Sequence, residues 1–265
     1  MLKRGETMQR RHLIQQIFRS GATLAGLGTG AFWHKSVQAQ PAPVQITWLH
    51  HSCVLFEGEG RRILVNPFRQ LGCTAGYPAP QVLADLVLIS SRLFDEGFLE
   101  GLPGSPQILF QPGDYQIQGM RVQGVRMAHD NTTPRGERFG INVGWRWTLA
   151  GLTIVHLGGA AAPMTREQEI LLRQPDLLFI PVGGGPKNYD PQGAQAAITV
   201  LQPKLVIPTM YRTGAADDQC ELVDRQAFLN FYPASQIRFL ETTTLSLTPD
   251  QLPSGMQIWT FPETA

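Results

Sequence analysis

The sequence is poor in residues that bind metals through thiolate or imidazole groups. It contains 3 cysteines and 6 histidines among 265 residues. No C-x-x-C pair occurs, so a cysteine-type structural zinc site is not predicted. One disulfide and one free thiol fit the three cysteines, but the spacing of Cys53, Cys73 and Cys220 does not select the pair. Cys53 lies in an apolar stretch and is predicted to be buried.

Repeats, low-complexity segments and long apolar runs are also lacking. The N-terminal uncharged stretch, 20–33, is shorter than the roughly 20 apolar residues that a membrane-spanning helix needs. With 43% hydrophobic and 16% charged residues, the composition is typical of one large globular domain. The 20 prolines and 27 glycines are scattered, which predicts many short elements joined by turns.

The N-terminus has the layout of an export signal. Arg10 and Arg11 precede the uncharged stretch 20–33, and a small-residue cleavage site follows at Ala39. Residues 1–39 therefore resemble a twin-arginine signal peptide, which directs folded proteins to the periplasm or an equivalent lumen. The alternative is an uncleaved amphipathic anchor.

The remaining domain, residues 40–265, is mildly acidic. It carries 16 basic and 20 acidic residues, a net charge of −4. No basic patch favours nucleic acid or anionic lipid, and no stable membrane span is expected after signal cleavage. A small molecule or a protein is the expected kind of partner, and the sequence does not say which.

Hydrophobic periodicity predicts the main elements. Alternation at 44–49, continued at 53–56 and 63–65, predicts an antiparallel meander. The apolar run 86–89 predicts a strand buried on both faces. A helix is predicted at 165–173, followed by a buried strand at 177–182. A second helix is predicted at 192–201, followed by a buried strand at 205–208. We predict an α/β (α+β) fold of αββα type, with two mixed β-sheets flanked by helices.

Local segments in order along this domain resemble the metallo-β-lactamase superfamily, in particular its branch of ascorbate-phosphate lactonase-like metal-dependent hydrolases. They are 46–53 (ITWLHHSC), 63–68 (ILVNPF), 85–96 (DLVLISSRLFDE), 125–130 (VRMAHD), 154–159 (IVHLGG), and 176–185 (DLLFIPVGGG) with 204–213 (KLVIPTMYRT). The resemblance implies the αββα sandwich and a cleft where imidazoles and carboxylates hold zinc to activate water.

The resemblance also assigns the ligand positions, and most have lost their donor. The His-x-His-x-Asp-His motif falls on Ser91, Leu93, Asp95 and Glu96, the third histidine on His129, the bridging aspartate on Gly159 and the last histidine on Met210. Only four histidines occur in 40–265, fewer than the family's roughly five imidazole positions. We therefore expect no two-zinc centre and no cofactor, with one zinc or another divalent metal on Asp95, Glu96 and His129 as the alternative.

Two interpretations of these surviving residues remain open. Asp95 and Glu96 could form a carboxylate pair in which one group acts as a general acid. Alternatively, Asp95 caps a helix or binds loop amides, and Arg92 neutralises the pair. His129, next to Asp130, is a candidate general base or weak metal ligand.

The other predicted cleft residues have ordinary structural interpretations. His51 and His156 are predicted to be hydrogen-bonded structural histidines, and His50 to be exposed or in a turn. Asn66 replaces an aspartate that the resemblance places beside the site. The glycine loop around Gly184 is only a weak indication of a phosphate-binding loop, because Pro186 has no amide hydrogen to donate. Trp145 and Trp147 are predicted to be core residues and not a surface on which a ligand stacks.

Two functional hypotheses follow. The first is an exported, non-catalytic binding or scaffold protein that retains the sandwich. The second is a hydrolase of an ester, lactone or phosphoester that uses a reduced mononuclear or metal-free site.

Overall fold

The computed structural model describes residues 42–263. The predicted signal peptide, residues 1–39, lies outside that range and stays a prediction. Within 42–263, no helix has the length and apolar character needed to cross a membrane.

The first sheet has six strands and begins with the predicted meander. In spatial order the strands are β13 (Thr244–Leu247), β1 (Val44–Trp48), β2 (Val54–Gly58), β3 (Arg61–Val65), β4 (Leu86–Leu88) and β5 (Gln107–Leu109). Strands β1, β2 and β3 pair antiparallel, and β3, β4 and β5 pair parallel. The buried strand predicted at 86–89 is confirmed as β4, whose three residues are all buried.

The second sheet has eight strands and is mixed. In spatial order the strands are β12 (Ile237–Phe239), β14 (Gln257–Thr260), β11 (Leu205–Thr209), β10 (Leu177–Pro181), β9 (Leu152–His156), β8 (Ile141–Leu149), β7 (Met120–Ala128) and β6 (Gly113–Ile117). Strands β6 to β9 pair antiparallel, whereas β9, β10, β11, β14 and β12 pair parallel.

Two helices connect the parallel strands of the second sheet. Helix α1 (Arg166–Leu172) begins at the predicted capping box, in which the Thr165 side chain accepts from the backbone of Gln168. Helix α2 (Pro191–Leu201) is capped by Asp190. A short third helix is α3 (Arg225–Leu229), and three 3₁₀ turns are Gly72–Thr74, Ala234–Gln236 and Pro249–Gln251.

Aromatic side chains join the two sheets. Phe56, from the first sheet, lies edge-on to Trp147 at 5.1 Å and to Phe179 at 5.2 Å between ring centroids, and both partners belong to the second sheet. Such edge-to-face pairs contribute about 0.5–1.5 kcal/mol each beyond their burial. Trp145 and Trp147 are both buried, which confirms that they are core residues. The predicted sandwich of two mixed sheets with helices is confirmed.

The loops at one edge of the sandwich hold the predicted site residues. Strands β4, β7, β9, β10 and β11 end there, and the following loops carry Ser91 to Glu96, His129, Gly159, Gly184 and Met210. The Asn66 side chain accepts a 2.8 Å hydrogen bond from Ser90 N, which ties the loop after β3 to the loop after β4.

The cysteine pairing is decided by these loops. Cys73 and Cys220, separated by 147 positions, form a disulfide with their Cα atoms 4.6 Å apart. Cys53 is the free cysteine, which the sequence had left open, and it is fully buried, as predicted. Burial raises the pKa of its thiol. The bridge fixes the loop after β11 against the 3₁₀ turn Gly72–Thr74.

Candidate functional site

Glu96 and His129 form a pair at the centre of the site. Glu96 Oε1 lies 3.2 Å from His129 Nε2, and neither side chain is exposed to solvent. Glu96 is positioned by a backbone hydrogen bond to Leu93 O, and His129 by one to Gly136 O. Each residue is therefore the main partner of the other, and neither contacts solvent.

Gly159 lies directly against this pair. A Cβ atom at this position would come within 2.5 Å of His129 Nε2 and 2.6 Å of Glu96 Oε1. Real Cβ atoms do not approach other heavy atoms so closely. The space that a bridging aspartate would need is filled by the imidazole and the carboxylate.

The other altered positions also lack a donor directed at the pair. The Ser91 hydroxyl accepts a hydrogen bond from Leu93 N at 3.1 Å. Leu93 is half-buried and has no polar side-chain atom. Met210 is fully buried in a small apolar cluster with Cys220 and Leu222. The position expected for the last histidine is thus part of the packing around the disulfide.

Asp95 makes an ion pair that the sequence did not predict. Its carboxylate accepts a hydrogen bond from the Lys187 ammonium, which joins the loop after β4 to the loop after β10. Burial alone would raise the pKa of Asp95, but the charges of Lys187 and His51 hold it below its usual value. Of the two structural roles considered for Asp95, a helix cap or bonds to loop amides, the helix cap is wrong, because no helix follows Asp95 in the loop.

Arg92 does not neutralise the carboxylates as proposed. Its side chain is exposed, with the guanidinium 5.7 Å from the Phe110 ring centroid. Lys187 takes that role instead. One sequence signal pointed to it, because Lys187 is one of only two lysines in 40–265, beside Lys204.

The histidines of the site differ from one another. His156 is the predicted hydrogen-bonded residue: its Nε2 donates to Ser52 O at 3.1 Å and its Nδ1 accepts from Gly158 N at 3.1 Å. Burial lowers its pKa to about 3, against the opposing effect of the bond to Ser52. The imidazole is therefore neutral and structural.

For His51 the same prediction is wrong. The ring is buried, and neither nitrogen has a hydrogen-bond partner among the described residues. Burial lowers its pKa, while the charges of Asp95 and Glu96 oppose that change. His50 lies in a turn, as one alternative held, but it is buried and stacks on Tyr77 with ring centroids 4.2 Å apart.

The remaining cleft candidates make hydrogen bonds within the loops. Asp130 is buried and accepts hydrogen bonds from Thr132 N at 2.7 Å and from the Thr133 hydroxyl. Burial would raise its pKa, but these hydrogen bonds hold it well below its usual value. The Gly184 amide donates to Tyr189 O at 2.8 Å, so this amide of the glycine loop is not free to bind a phosphate.

Several buried polar atoms of the pair, and of strands and loops at this edge of the sandwich, lack partners among the described residues. These atoms are Glu96 Oε2, His129 Nδ1, Ser90 Oγ, both amide atoms of Asn188 and Thr209 Oγ1. Buried polar atoms are costly without a partner, so the arrangement fits bound solvent or a small polar ligand. Asn188 and Thr209 were not predicted as site residues, since single polar residues after strands are common.

A zinc site requires three or four donors around one point. Among residues 42–263, no group of three His, Cys, Asp or Glu side chains is arranged to hold a metal ion. Glu96 and His129 are bound to each other, and the Lys187 ammonium already occupies Asp95. The residues present therefore do not fit the two zinc ions that the family resemblance implies. Asp95 does not form a common metal-binding group with Glu96 and His129.

Comparison with known proteins identifies the family. A family model described as a β-lactamase superfamily domain matches residues 45–210. A UPF0173 metal-dependent hydrolase from Lysinibacillus sphaericus is 32% identical over 225 residues, covering 75% of this chain and 96% of the relative. Another from Thermus thermophilus is 28% identical over 195 residues, covering 64% and 84%. A solved structure from Thermotoga maritima matches with a TM-score of 0.66 at 25% identity, over 82% of this chain and 98% of that chain. With the sandwich described above, these matches show that the chain belongs to the metallo-β-lactamase superfamily.

Proposed function

We propose that this chain is a binding protein of the superfamily that has lost two-metal hydrolysis. The observation that carries the proposal is the mutual pairing of the surviving donors. Glu96 binds His129, and Asp95 binds Lys187. Glu96 Oε1, His129 Nε2 and Asp95 Oδ2 would each have to give up this partner before they could bind a metal ion, whereas Glu96 Oε2 and His129 Nδ1 have no partner among the described residues.

The charge of Lys187 supports the proposal. Two unit charges 4 Å apart interact by about 4 kcal/mol at the effective dielectric constant typical near a protein surface. A divalent cation at Asp95 would be repelled by the ammonium by an energy of that order or more. The ammonium thus supplies the positive charge that Asp95 would otherwise draw from a metal ion.

Export is part of the proposal. The Cys73–Cys220 disulfide supports it, because disulfides persist in oxidising compartments and are rare in reducing ones. The signal-like segment 1–39 points the same way. We propose the periplasm or an equivalent lumen as the location.

A hydrolase is the second candidate, and the comparisons support it better than they support a non-catalytic role. The relatives are named as metal-dependent hydrolases. In such an enzyme the partly exposed Asp95 and Lys187 would contact the substrate, because Glu96 and His129 are fully buried. Asp95 would then act as the proton acceptor and Lys187 would stabilise negative charge on the substrate.

One experiment separates the two candidates. The protein is purified without chelator and without a metal-affinity tag, its metal content is measured, and ester, lactone and phosphodiester substrates are assayed. We expect less than about a tenth of an equivalent of metal and no turnover above the Asp95→Asn variant. Turnover abolished by Asp95→Asn or His129→Ala in folded protein would establish the hydrolase instead. A full equivalent of zinc that is lost in the same variants would do so as well.

A further inference from the structure

A second candidate site lies beside the cleft and not in it. A cavity of about 340 Å³ opens between α1, α2 and the loops that follow β7, β9 and β10. This volume is within the range of small-molecule sites. Its walls are mostly apolar and include Met164 from the loop before α1 and Ala197 from α2.

The floor of the cavity is preorganised by Tyr189. This side chain is 3% exposed, and its hydroxyl donates to Ala162 O at 2.8 Å. Its backbone amide donates to Ala160 O at 2.7 Å. Both bonds tie the loop after β10 to the loop after β9, so the cavity wall is held in place without a ligand. A preorganised wall lowers the entropic cost of binding.

The charged groups that line the cavity are all acidic. Glu169, from α1, and Asp190, at the start of α2, lie on its wall, and no lysine or arginine among the described residues lines it. Glu169 pairs with Arg166 at 2.7 Å, but the Arg166 side chain is 80% exposed and such surface pairs contribute little. Asp190 uses Oδ1 to cap α2 by accepting from Gly193 N. The lining of the cavity therefore combines mostly apolar side chains with two carboxylates.

We propose that this cavity binds a small apolar molecule that carries a cationic amine. The apolar part lies against Met164, Tyr189 and Ala197, and the ammonium lies near the carboxylates of Glu169 and Asp190. The inference is independent of whether the cleft around Glu96 and His129 performs catalysis, because none of those residues lines the cavity.

The probe for this site is 2-phenylethylamine, compared with neutral 2-phenylethanol and anionic 3-phenylpropanoate. Binding to the purified protein is followed by calorimetry and by NMR titration. We expect saturable binding of the amine. The affinity for the alcohol should be at least fivefold lower, and the affinity for the acid should be lower still. Equal affinity for amine and alcohol, or no saturable binding of the amine at millimolar concentration, would overturn the proposal.

Variants locate the binding. Glu169→Gln combined with Asp190→Asn removes both charges but keeps the hydrogen-bonding shape, and asparagine is as good an N-cap as aspartate. This double variant should lower the affinity for the amine at least fivefold and leave the affinity for the alcohol unchanged.

Ala196→Leu, at an exposed lining position on α2, should lower the affinity for both probes. Asp250→Asn, a remote exposed carboxylate, is the matched control and should change neither. An unchanged amine affinity in the double variant would contradict the assignment of the carboxylates.

Discussion

Lys187 and Asp95 join two loops that are 92 positions apart in the chain, and their ion pair lies where the family resemblance places a metal ligand. The side chains are 27% and 17% exposed, so the pair is partly screened from water. An internal ammonium and a bound metal ion are alternative sources of positive charge for the same carboxylate. The proposed loss of metal binding can therefore be tested by changing this ion pair.

Replacing Lys187 should restore part of the metal affinity. Lys187→Met removes the competing charge from Asp95 and should raise zinc affinity at least tenfold, read as zinc-dependent stabilisation in thermal unfolding. Without zinc the variant should be less stable by about 1–2 kcal/mol, because a partly buried carboxylate loses its partner. Lys204→Met is the control, since Lys204 pairs with Asp176 at 2.8 Å just before the first residues of β11 and β10, whereas the cleft loops follow the last residues of these strands. Identical zinc responses in the two variants would contradict the role given to Lys187.

Restoring the bridging carboxylate should not rebuild the centre. Gly159→Asp places a side chain against the ends of the His129 and Glu96 side chains and adds a like charge beside Glu96, so we expect a loss of about 1–3 kcal/mol in urea unfolding. Gly214→Asp is the control, because a Cβ at Gly214 meets no atom within 4 Å. Its stability should change by about 0.5 kcal/mol or less. A stable Gly159→Asp protein would show that the pair yields easily to a side chain.

His156 should make the protein less stable in acid. Its pKa is about 3 in the folded chain and 6.5 as the reference value, so between these values the unfolded chain binds a proton that the folded chain does not. Stability should therefore fall as the pH is lowered below about 6.5, by up to about 1.4 kcal/mol per pH unit from this group. Unfolding free energies at pH 7, 6, 5 and 4 should show a smaller slope in His156→Gln than in the unaltered protein. Parallel slopes would mean that His156 is protonated in the folded chain.

The disulfide should contribute strongly to stability. Loss of a bridge across 147 positions raises the entropy of the unfolded chain, and we expect Cys73→Ser with Cys220→Ser to cost about 3–5 kcal/mol. Thiol titration of the denatured, unreduced protein should give a single thiol, Cys53. Cys53→Ala keeps the bridge and should cost about 1 kcal/mol. Three titratable thiols in protein produced in an oxidising compartment would refute the pairing.

The local elements could be predicted from the sequence because their signals are local. Alternation marked β1, a continuous apolar run marked β4, and the Thr165–Gln168 capping box marked the start of α1. Each signal depends on residues within a few positions of one another. The scarcity of histidine is also a property of the chain alone, and it limits the imidazoles available to any metal centre whatever the fold.

The site could not be predicted to the same depth. His51 and His156 look alike in sequence, yet one has no hydrogen-bond partner among the described residues and the other has two. The difference arises because the partner of His156 Nε2 is Ser52 O, 104 positions away. Contacts of that range depend on how the two sheets pack, which no local pattern records.

The sequence by itself determined the meander β1 to β3, the buried strand β4 and the helices α1 and α2 with the strand that follows each of them. It also determined the family and the number of imidazoles, because each of these follows from which residues are present and how they are spaced. Only the tertiary structure decided that Cys73 pairs with Cys220, that Lys187 neutralises Asp95 and that Glu96 with His129 fills the space beside Gly159. These facts depend on loops from different strands meeting at one edge of the sandwich. The geometry of that edge is set by the packing of the whole core.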